Sequence, residues 1–223
     1  MKFAAIGSTL LCATAIVCAM PTAASAMNLV ANGSFEDYNV EVGKWKLFRD
    51  GSQEQFGWSP TKGSNIEIRS NFVGTASHGT HFAELDNHHY DKEAEEIGIF
   101  QDIVTEIGQA YTLSFDYGPR EQSRVDGDNL LAASFGDFYS EYDAGNSQDG
   151  WQSVTTTITA TETLTRLKFI MLGDRDTYGA NIDNVKVVAV NEAADVPEPS
   201  AMLAVGLVGA FGAAKARRKR TVA

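Results

Sequence analysis

The chain has 223 residues, and its 29 Asp and Glu outnumber its 18 Lys and Arg, which gives a net charge of −11 near neutral pH. Without the residues before 27 and after 195, which have the pattern of targeting segments, 12 basic and 28 acidic residues remain, a net charge of −16. Such a surface repels nucleic acid and anionic lipid, which excludes nucleic acid as a partner and favours divalent cations, neutral sugars, basic proteins or simple solubility.

The first 26 residues have the three parts of a secretory signal peptide. Lys2 supplies the positive charge, an apolar stretch follows over residues 3–20, and Ala24 and Ala26 are the small residues of an A-x-A cleavage site. Both cysteines of the chain lie inside this leader. The mature chain is therefore predicted to contain no thiol, no disulfide and no Cys-based zinc site.

The middle segment, residues 27–190, shows repeated strand patterns and no helical period of useful length. The clearest alternation covers residues 111–117, where Tyr111, Leu113, Phe115 and Tyr117 fall on one face. Turn-forming Gly, Pro, Asn and Asp separate the strands. Many short strands without helices predict an all-β domain, an antiparallel β-sandwich. The other strand patterns cover residues 65–69, 82–86, 97–103, 130–135, 151–160, 164–172 and 182–190.

The C-terminal segment combines two closely spaced prolines, an uncharged run and a basic cluster. The prolines lie in a linker, residues 191–200, and neither can continue a helix or a central strand, so the folded domain is predicted to end there. Residues 201–214 carry no charge, and these 14 residues fall short of the roughly 20 that a comfortable membrane span needs. Snorkelling basic side chains extend the reach, so residues 201–223 are predicted to be a short transmembrane helix with a cytoplasmic basic tail. The alternative is a small buried helix with a basic end.

The order of these three parts resembles the PEP-CTERM sorting signal of Gram-negative bacteria that make exopolysaccharide. The resemblance implies an exosortase-type membrane protease as a partner and a transient stay in the inner membrane. It further implies a final location at the cell surface or in the extracellular matrix, so that the tail acts as an address. The matching residues are Val196, Pro197, Glu198, Pro199, Arg217, Arg218, Lys219 and Arg220.

The middle segment also carries a familiar set of motifs. It opens with N-G-S-F-E at residues 32–36, continues with A-E-L-D at 83–86 and G-Q-A-Y-T-L-S-F-D-Y at 108–117, and ends with I-D-N-V at 182–185. Together these resemble galactose-binding-like jelly rolls of secreted proteins, among them the plant cell-wall family called domain of unknown function 642 and the carbohydrate-binding modules attached to glycosidases. The resemblance implies a jelly roll that binds extracellular polysaccharide or serves adhesion, without catalysis of its own.

A structural calcium ion is the first candidate site. In jelly rolls of this type the first and last strands lie side by side, and Glu36 and Asp183 match the acidic positions of the two end motifs. Calcium takes about six to eight oxygen ligands, so backbone carbonyls and water would complete the shell. The alternative is that Asn32 and Glu36 cap a turn while Asp183 accepts a hydrogen bond from a neighbouring backbone N–H. The calcium hypothesis predicts a melting temperature that rises with calcium.

A histidine cluster is the second candidate. His78, His81, His88 and His89 fall within 12 positions, which invites a zinc site. Their spacing is poor for it, because His81 and Glu84 would lie on opposite faces of a strand. A polar loop whose imidazoles titrate near neutrality is therefore the favoured interpretation.

A sugar-binding surface is the third candidate, since saccharides stack on aromatic rings flanked by polar groups. The predicted ligand-binding residues are Trp58, Tyr90, Arg120 and Tyr178, although Arg120 could instead pair with a nearby carboxylate. Trp151 starts a strand after a turn and is interpreted as a packing residue.

Catalysis has little support in the sequence. There is no Gly-x-Ser-x-Gly elbow, no Cys in the mature chain and no phosphate-cradling loop, and no carboxylate pair can be singled out among the acids. The chain is predicted not to be an enzyme but a secreted carbohydrate-binding or adhesion module. The alternatives are a structural surface protein without a specific ligand and, less favoured, an extracellular glycan hydrolase.

Overall fold

The structure is a computed structural model that describes residues 27–49, 56–87, 94–121, 127, 129–146 and 148–190. The predicted signal peptide and cleavage site, the linker and the sorting tail lie outside these residues, as do His88, His89 and Tyr90. In the part of the chain that is described, no helix has both the length and the apolar character that crossing a bilayer requires.

The described residues form two antiparallel sheets, which confirms the predicted all-β sandwich. The six-stranded sheet has the order β1-β3-β4-β11-β6-β9, and the five-stranded sheet has the order β2-β5-β10-β7-β8. Non-consecutive neighbours in both sheets give the jelly-roll connectivity that the sequence motifs implied. The strands are β1 Lys44–Phe48, β2 Ser59–Pro60, β3 Ile66–Ser70, β4 His81–Glu84, β5 Gly98–Val104, β6 Ala110–Gly118, β7 Leu130–Phe135, β8 Phe138–Asp143, β9 Gln152–Thr159, β10 Leu164–Met171 and β11 Asn181–Ala189.

The core lies between the two sheets and is built from the apolar alternation of the strands. The predicted face of β6 is buried, with Leu113 and Phe115 at its centre. Phe115 meets Phe169 of β10 edge-on, with ring centroids 5.0 Å apart and planes at 74°. Full burial of a large apolar side chain contributes roughly 1.5–3 kcal/mol, so these inward-facing residues dominate the stability of the domain.

The two ends of the domain lie together, as the pairing of the end motifs implied. Asn28 forms an isolated antiparallel bridge with Val188, and the backbone N–H of Val185 donates to the carbonyl of Gly33 at 2.8 Å. A Cβ atom at Gly33 would lie 2.0 Å from the carbonyl oxygen of Val185. Only glycine permits this approach, so the opening motif owes its glycine to contact with the closing one.

Candidate functional site

The outer face of the six-stranded sheet, which points away from the other sheet, is partly covered by the loop between β3 and β4. We call this loop, residues 71–80, the strap. The Ser77 hydroxyl lies 2.9 Å from Asp116 Oδ2 and 3.0 Å from Asp183 Oδ2, and the backbone N–H of His78 donates to Asp183 at 2.8 Å. These contacts fasten the strap against β6 and β11.

A small cavity borders the strap on this face. Its volume is about 120 Å³. Trp151 and Phe82 form its aromatic part, with ring centroids 5.8 Å apart and planes at 81°. The Trp151 indole N–H donates to the carbonyl of Thr75 in the strap at 2.8 Å, which holds the ring in place. The described residues that line the cavity are Gly74, Thr75, Phe82, Gly118, Pro119, Glu121, Gly150, Trp151 and Asn181.

Asn181, the first residue of β11, lines the cavity, and its side-chain amide is held in one orientation. Its Nδ2 donates to the carbonyl of Pro119 at 3.0 Å, and only the amide nitrogen can make that bond, so the orientation of the amide is fixed. Its Oδ1 is buried and has no hydrogen-bond partner among the described residues. Buried polar atoms are nearly always paired. This oxygen is one of ten buried side-chain atoms without a hydrogen-bond partner in the described part of the chain, and a ligand hydroxyl could reach it after a small shift of the cavity wall. Glu121 adds an exposed carboxylate to the same cavity.

Two of the predicted ligand-binding residues, Arg120 and Tyr178, come together beside this cavity. The Arg120 guanidinium lies 4.3 Å from the centre of the Tyr178 ring, and its Nη1 donates to Glu84 at 3.3 Å and to the carbonyl of Thr177. Arg120 is largely buried, so it contributes by holding the chain between Pro119 and Glu121 in position. The sequence predicts that Arg120 contacts a ligand directly, and the burial of its side chain does not fit that prediction.

A buried cluster of four ionisable side chains, Glu67, Arg69, Glu84 and Arg120, lies under this part of the outer face. Glu67 of β3 and Glu84 of β4 are directly opposite each other, and Arg69 contacts both carboxylates. Burial is the main cause that raises the pKa of Glu84 to about 8. The positive charges of Arg69 and Arg120 lower this pKa, and the negative charge of Glu67 raises it further. Charges inside a protein require such pairing, because an unpaired one is costly.

Trp58 is not a ligand-binding residue, and this part of the sequence prediction is wrong. Its side chain is fully buried between Phe35 and Phe169, with ring centroids 5.6 Å and 6.1 Å away. Its indole N–H donates to the carbonyl of Asn32 at 3.1 Å. A sugar cannot reach a ring whose faces are already in the core.

The hydrogen bonds around Glu36 and Asp183 do not fit the predicted calcium ion. Glu36 accepts four hydrogen bonds from the backbone and side chains of Thr80 and His81, at 2.7–3.0 Å. The Asp183 carboxylate accepts hydrogen bonds from the backbone N–H groups of His78 and Asn184 and from the Ser77 hydroxyl. Donors therefore occupy the lone pairs that a cation would need. The described residues also contain no group of three or more His, Cys, Asp and Glu side chains placed to hold a metal.

We expect a chelator to leave the melting temperature unchanged, because N–H and O–H donors already satisfy both carboxylates. The measurement is a thermal unfolding curve by circular dichroism with and without excess EDTA. A melting temperature that falls in EDTA and recovers with calcium would restore the original calcium hypothesis.

The histidines in the described region serve the strap rather than a metal. His78 is exposed, and its backbone N–H binds Asp183. His81 is buried, with Nδ1 3.0 Å from Glu36 Oε2 and Nε2 3.1 Å from the carbonyl of Val40. Both ring nitrogens thus face oxygen atoms of the protein, so His81 has no nitrogen left for a metal.

The stability of the protein should depend on pH through Asp183. Burial raises the pKa of its carboxyl to about 6, against the opposing hydrogen bonds of His78, Asn184 and Ser77. The Ser77 hydroxyl has one proton but faces two carboxylate oxygens, so a proton on Asp183 completes the second contact. Since the folded chain keeps this proton when the unfolded chain has lost it, raising the pH from about 4 to 6 weakens folding by about 2 kcal/mol.

The variant Asp183→Asn, which carries no titratable proton, isolates this effect. Urea unfolding at several pH values between 4 and 7 should show a free energy that declines more steeply in the wild type than in the variant. Parallel pH profiles for the two proteins would contradict the role of Asp183.

Sequence reasoning missed Trp151 and Asn181 as site residues. Trp151 does pack, as interpreted, but it also lines the cavity, and a Cβ atom at Gly118 would come within 3.1 Å of its ring. The available signal was an aromatic residue directly after the Asp149-Gly150 turn. Nothing in the sequence places Asn181 next to it, because only the sheet brings these strands together.

The C-terminal prediction is tested by comparison with known sequence families. Residues 195–220 match the model of the PEP-CTERM protein-sorting motif, and residues 196–199 and 217–220 lie inside that range. The chain carries a PEP-CTERM sorting motif. This motif indicates export and sorting at the membrane of a Gram-negative bacterium. No curated protein matches the chain.

Solved structures that resemble the sandwich include carbohydrate-binding modules. A family 35 carbohydrate-binding module from an environmental isolate is 18% identical, with 67% of this chain and 98% of that chain covered and a TM-score of 0.39. TmCBM61 in complex with β-1,4-galactotriose is 17% identical, with coverages of 74% and 100% and a TM-score of 0.41. The CBM22-1 xylan-binding domain from Paenibacillus barcinonensis Xyn10C is 13% identical, with coverages of 77% and 100% and a TM-score of 0.40. At these values the likeness concerns the general arrangement of strands and says nothing about a ligand.

Proposed function

We propose that this protein is an exported, non-catalytic carbohydrate-binding protein whose sugar site is the cavity beside Trp151. The observation that carries the proposal is the pairing of an aromatic wall with a buried, unpartnered acceptor. The half-buried Trp151 ring offers apolar surface and the buried Phe82 ring supports it from behind, while a small shift of the cavity wall would let Asn181 Oδ1 accept from a hydroxyl. Sugars present both features, an apolar ring face and a set of hydroxyl donors.

The charge of the domain supports an uncharged ligand. The segment between the two targeting regions carries a net charge of −16, which repels polyanions and leaves neutral glycans free to approach. A structural surface protein would need no cavity with an unpartnered acceptor.

A non-catalytic role is supported by the chemistry of the cavity. Glycoside hydrolysis ordinarily uses two carboxyl groups on opposite sides of the bond to be cut. Among the described residues that line the cavity, Glu121 is the one carboxylate. An assay for new reducing ends on matrix polysaccharide tests this part, and release of such ends would overturn it.

Glycan binding is tested with the full chain in mild detergent, titrated with neutral oligosaccharides by isothermal calorimetry. We expect Trp151→Ala to weaken binding at least tenfold, because it removes the ring on which the sugar stacks. Tyr139→Ala is the matched control, since Tyr139 is an exposed aromatic residue on β8 of the other sheet. Equal affinities of the two variants, with both folded by circular dichroism, would contradict the proposed site.

Export through an exosortase-type system completes the proposal. The match to the sorting motif supports recognition of the tail by a membrane-embedded protease, a transient stay in the inner membrane and release to the cell surface or matrix. Mass spectrometry of the form found outside the cell should show a C-terminus near residues 196–199. An extracellular form that keeps the basic residues 217–220 would contradict cleavage.

A further inference from the structure

The strap covers part of the outer face of the six-stranded sheet, so this face does not form an open groove. The backbone N–H of Asn71 donates to the carbonyl of Thr80 at 2.9 Å and closes the base of the strap. Ser77 binds Asp116 and Asp183 in the middle of the face, and Thr75 binds Trp151. A polysaccharide chain laid across these strands would collide with the strap.

The space left beside the strap is small. The cavity measures about 120 Å³, whereas sites for drug-sized ligands measure about 300–1,000 Å³. Strap residues Gly74 and Thr75 border one part of it, and Pro119 and Trp151 border others. Such a volume excludes a run of several sugar rings and leaves space for one at most.

Two side chains that border the cavity, Asn181 and Glu121, carry oxygen acceptors. Asn181 Oδ1 has no partner among the described residues, and the other polar atom of that amide is occupied by the Pro119 carbonyl. The Glu121 carboxylate is the charged group among the described lining residues. Acceptors bind hydroxyl or ammonium donors, while a second carboxylate brought close to Glu121 is repelled.

We infer that the cavity beside Trp151 recognises a single, non-acidic sugar residue at the end of a glycan chain. This inference rests on the proposed function and narrows it from glycans in general to chain ends. The strap has two roles in this recognition. It keeps the interior of a glycan chain away from the outer face of the sheet, and its Thr75 carbonyl holds the Trp151 ring in place.

The test uses the full chain in mild detergent and arrays of linear gluco-, galacto- and manno-oligosaccharides attached through their reducing ends, from one to six residues long. For the series that binds, affinity should change less than threefold between the disaccharide and the hexasaccharide. Replacing the terminal residue by its uronic acid should weaken binding at least tenfold. In Glu121→Gln, a substitution at an exposed position, this preference against the uronic acid should shrink.

Affinity that rises steadily with chain length would overturn the inference and leave the proposed function intact, because it would show that the interior of a chain is bound. Equal binding of neutral and uronic acid ends would overturn the part that concerns charge. Failure of every glycan to bind would overturn both the proposed function and the inference.

Discussion

Arg69→Ala should lower the free energy of unfolding by about 3–5 kcal/mol at pH 9, where Glu84 is ionised, because it leaves two buried carboxylates facing each other without their shared cation. Glu67 and Glu84 are fully buried, and Arg69 contacts both. Domains of this kind are stable by only about 5–15 kcal/mol, so the loss is a large part of the total. Urea unfolding followed by fluorescence measures it.

Arg166→Ala is the matched control for that experiment. Arg166 also forms a two-pronged ion pair, with Asp102 at 2.7 Å and 2.8 Å, but its side chain is 54% exposed. Exposed pairs contribute about 1 kcal/mol or less, so this variant should remain close to the wild type. Similar losses in the two variants would contradict the importance of the buried cluster.

A second variant separates lost pairing from lost packing. Arg69→Met keeps most of the volume but removes the charge, and it should be nearly as destabilising as the alanine variant. Adding Glu84→Gln to it removes one of the stranded carboxylates and should recover part of the loss. A double variant no more stable than Arg69→Met alone would show that packing, not charge, is responsible.

Trp58→Ala should lower the free energy of unfolding by about 3–5 kcal/mol while leaving glycan affinity unchanged in the folded fraction. Trp58 lies between Phe35 and Phe169 in the core, and no ligand can reach its ring. Removing the indole opens a cavity that rigid neighbouring strands cannot fill. Thermal unfolding and calorimetric titration at low temperature measure the two effects separately.

The milder variant Trp58→Phe keeps the protein folded if the alanine variant does not. It should lose the hydrogen bond to the Asn32 carbonyl and part of the packing, with no change in affinity. A selective loss of glycan binding at full stability would return Trp58 to the list of ligand residues.

The fold was predictable from the sequence where side-chain polarity alternates with burial. Tyr111, Leu113, Phe115 and Tyr117 do so along β6, and the strand and its buried face were predicted from that pattern. β8 was missed because its polarity and burial disagree. Tyr139 points outward and Ser140 inward, so the stretch Phe138–Asp143 has no clean apolar face.

The candidate site was much less predictable, because it depends on contacts between distant residues. The alternation in β3 places Glu67 and Arg69 on the face that points away from the core. Side chains on such a face are usually exposed to water, yet both are buried. The sequence predicts Arg120 and Tyr178 as two separate ligand-binding residues. Only the fold places the Arg120 guanidinium over the Tyr178 ring. The sequence motif that contains Asp183 predicted a calcium ion. In the structure Asp183 instead accepts hydrogen bonds that hold the strap.

The most direct test of the sugar site is a crystal structure of the protein with the best-binding oligosaccharide from the titrations. The sugar should occupy the cavity beside the strap, with one ring against Trp151 and a hydroxyl within hydrogen-bond distance of Asn181 Oδ1. A sugar bound instead to the outer face of the five-stranded sheet, with the Trp151 cavity holding only water, would contradict the account.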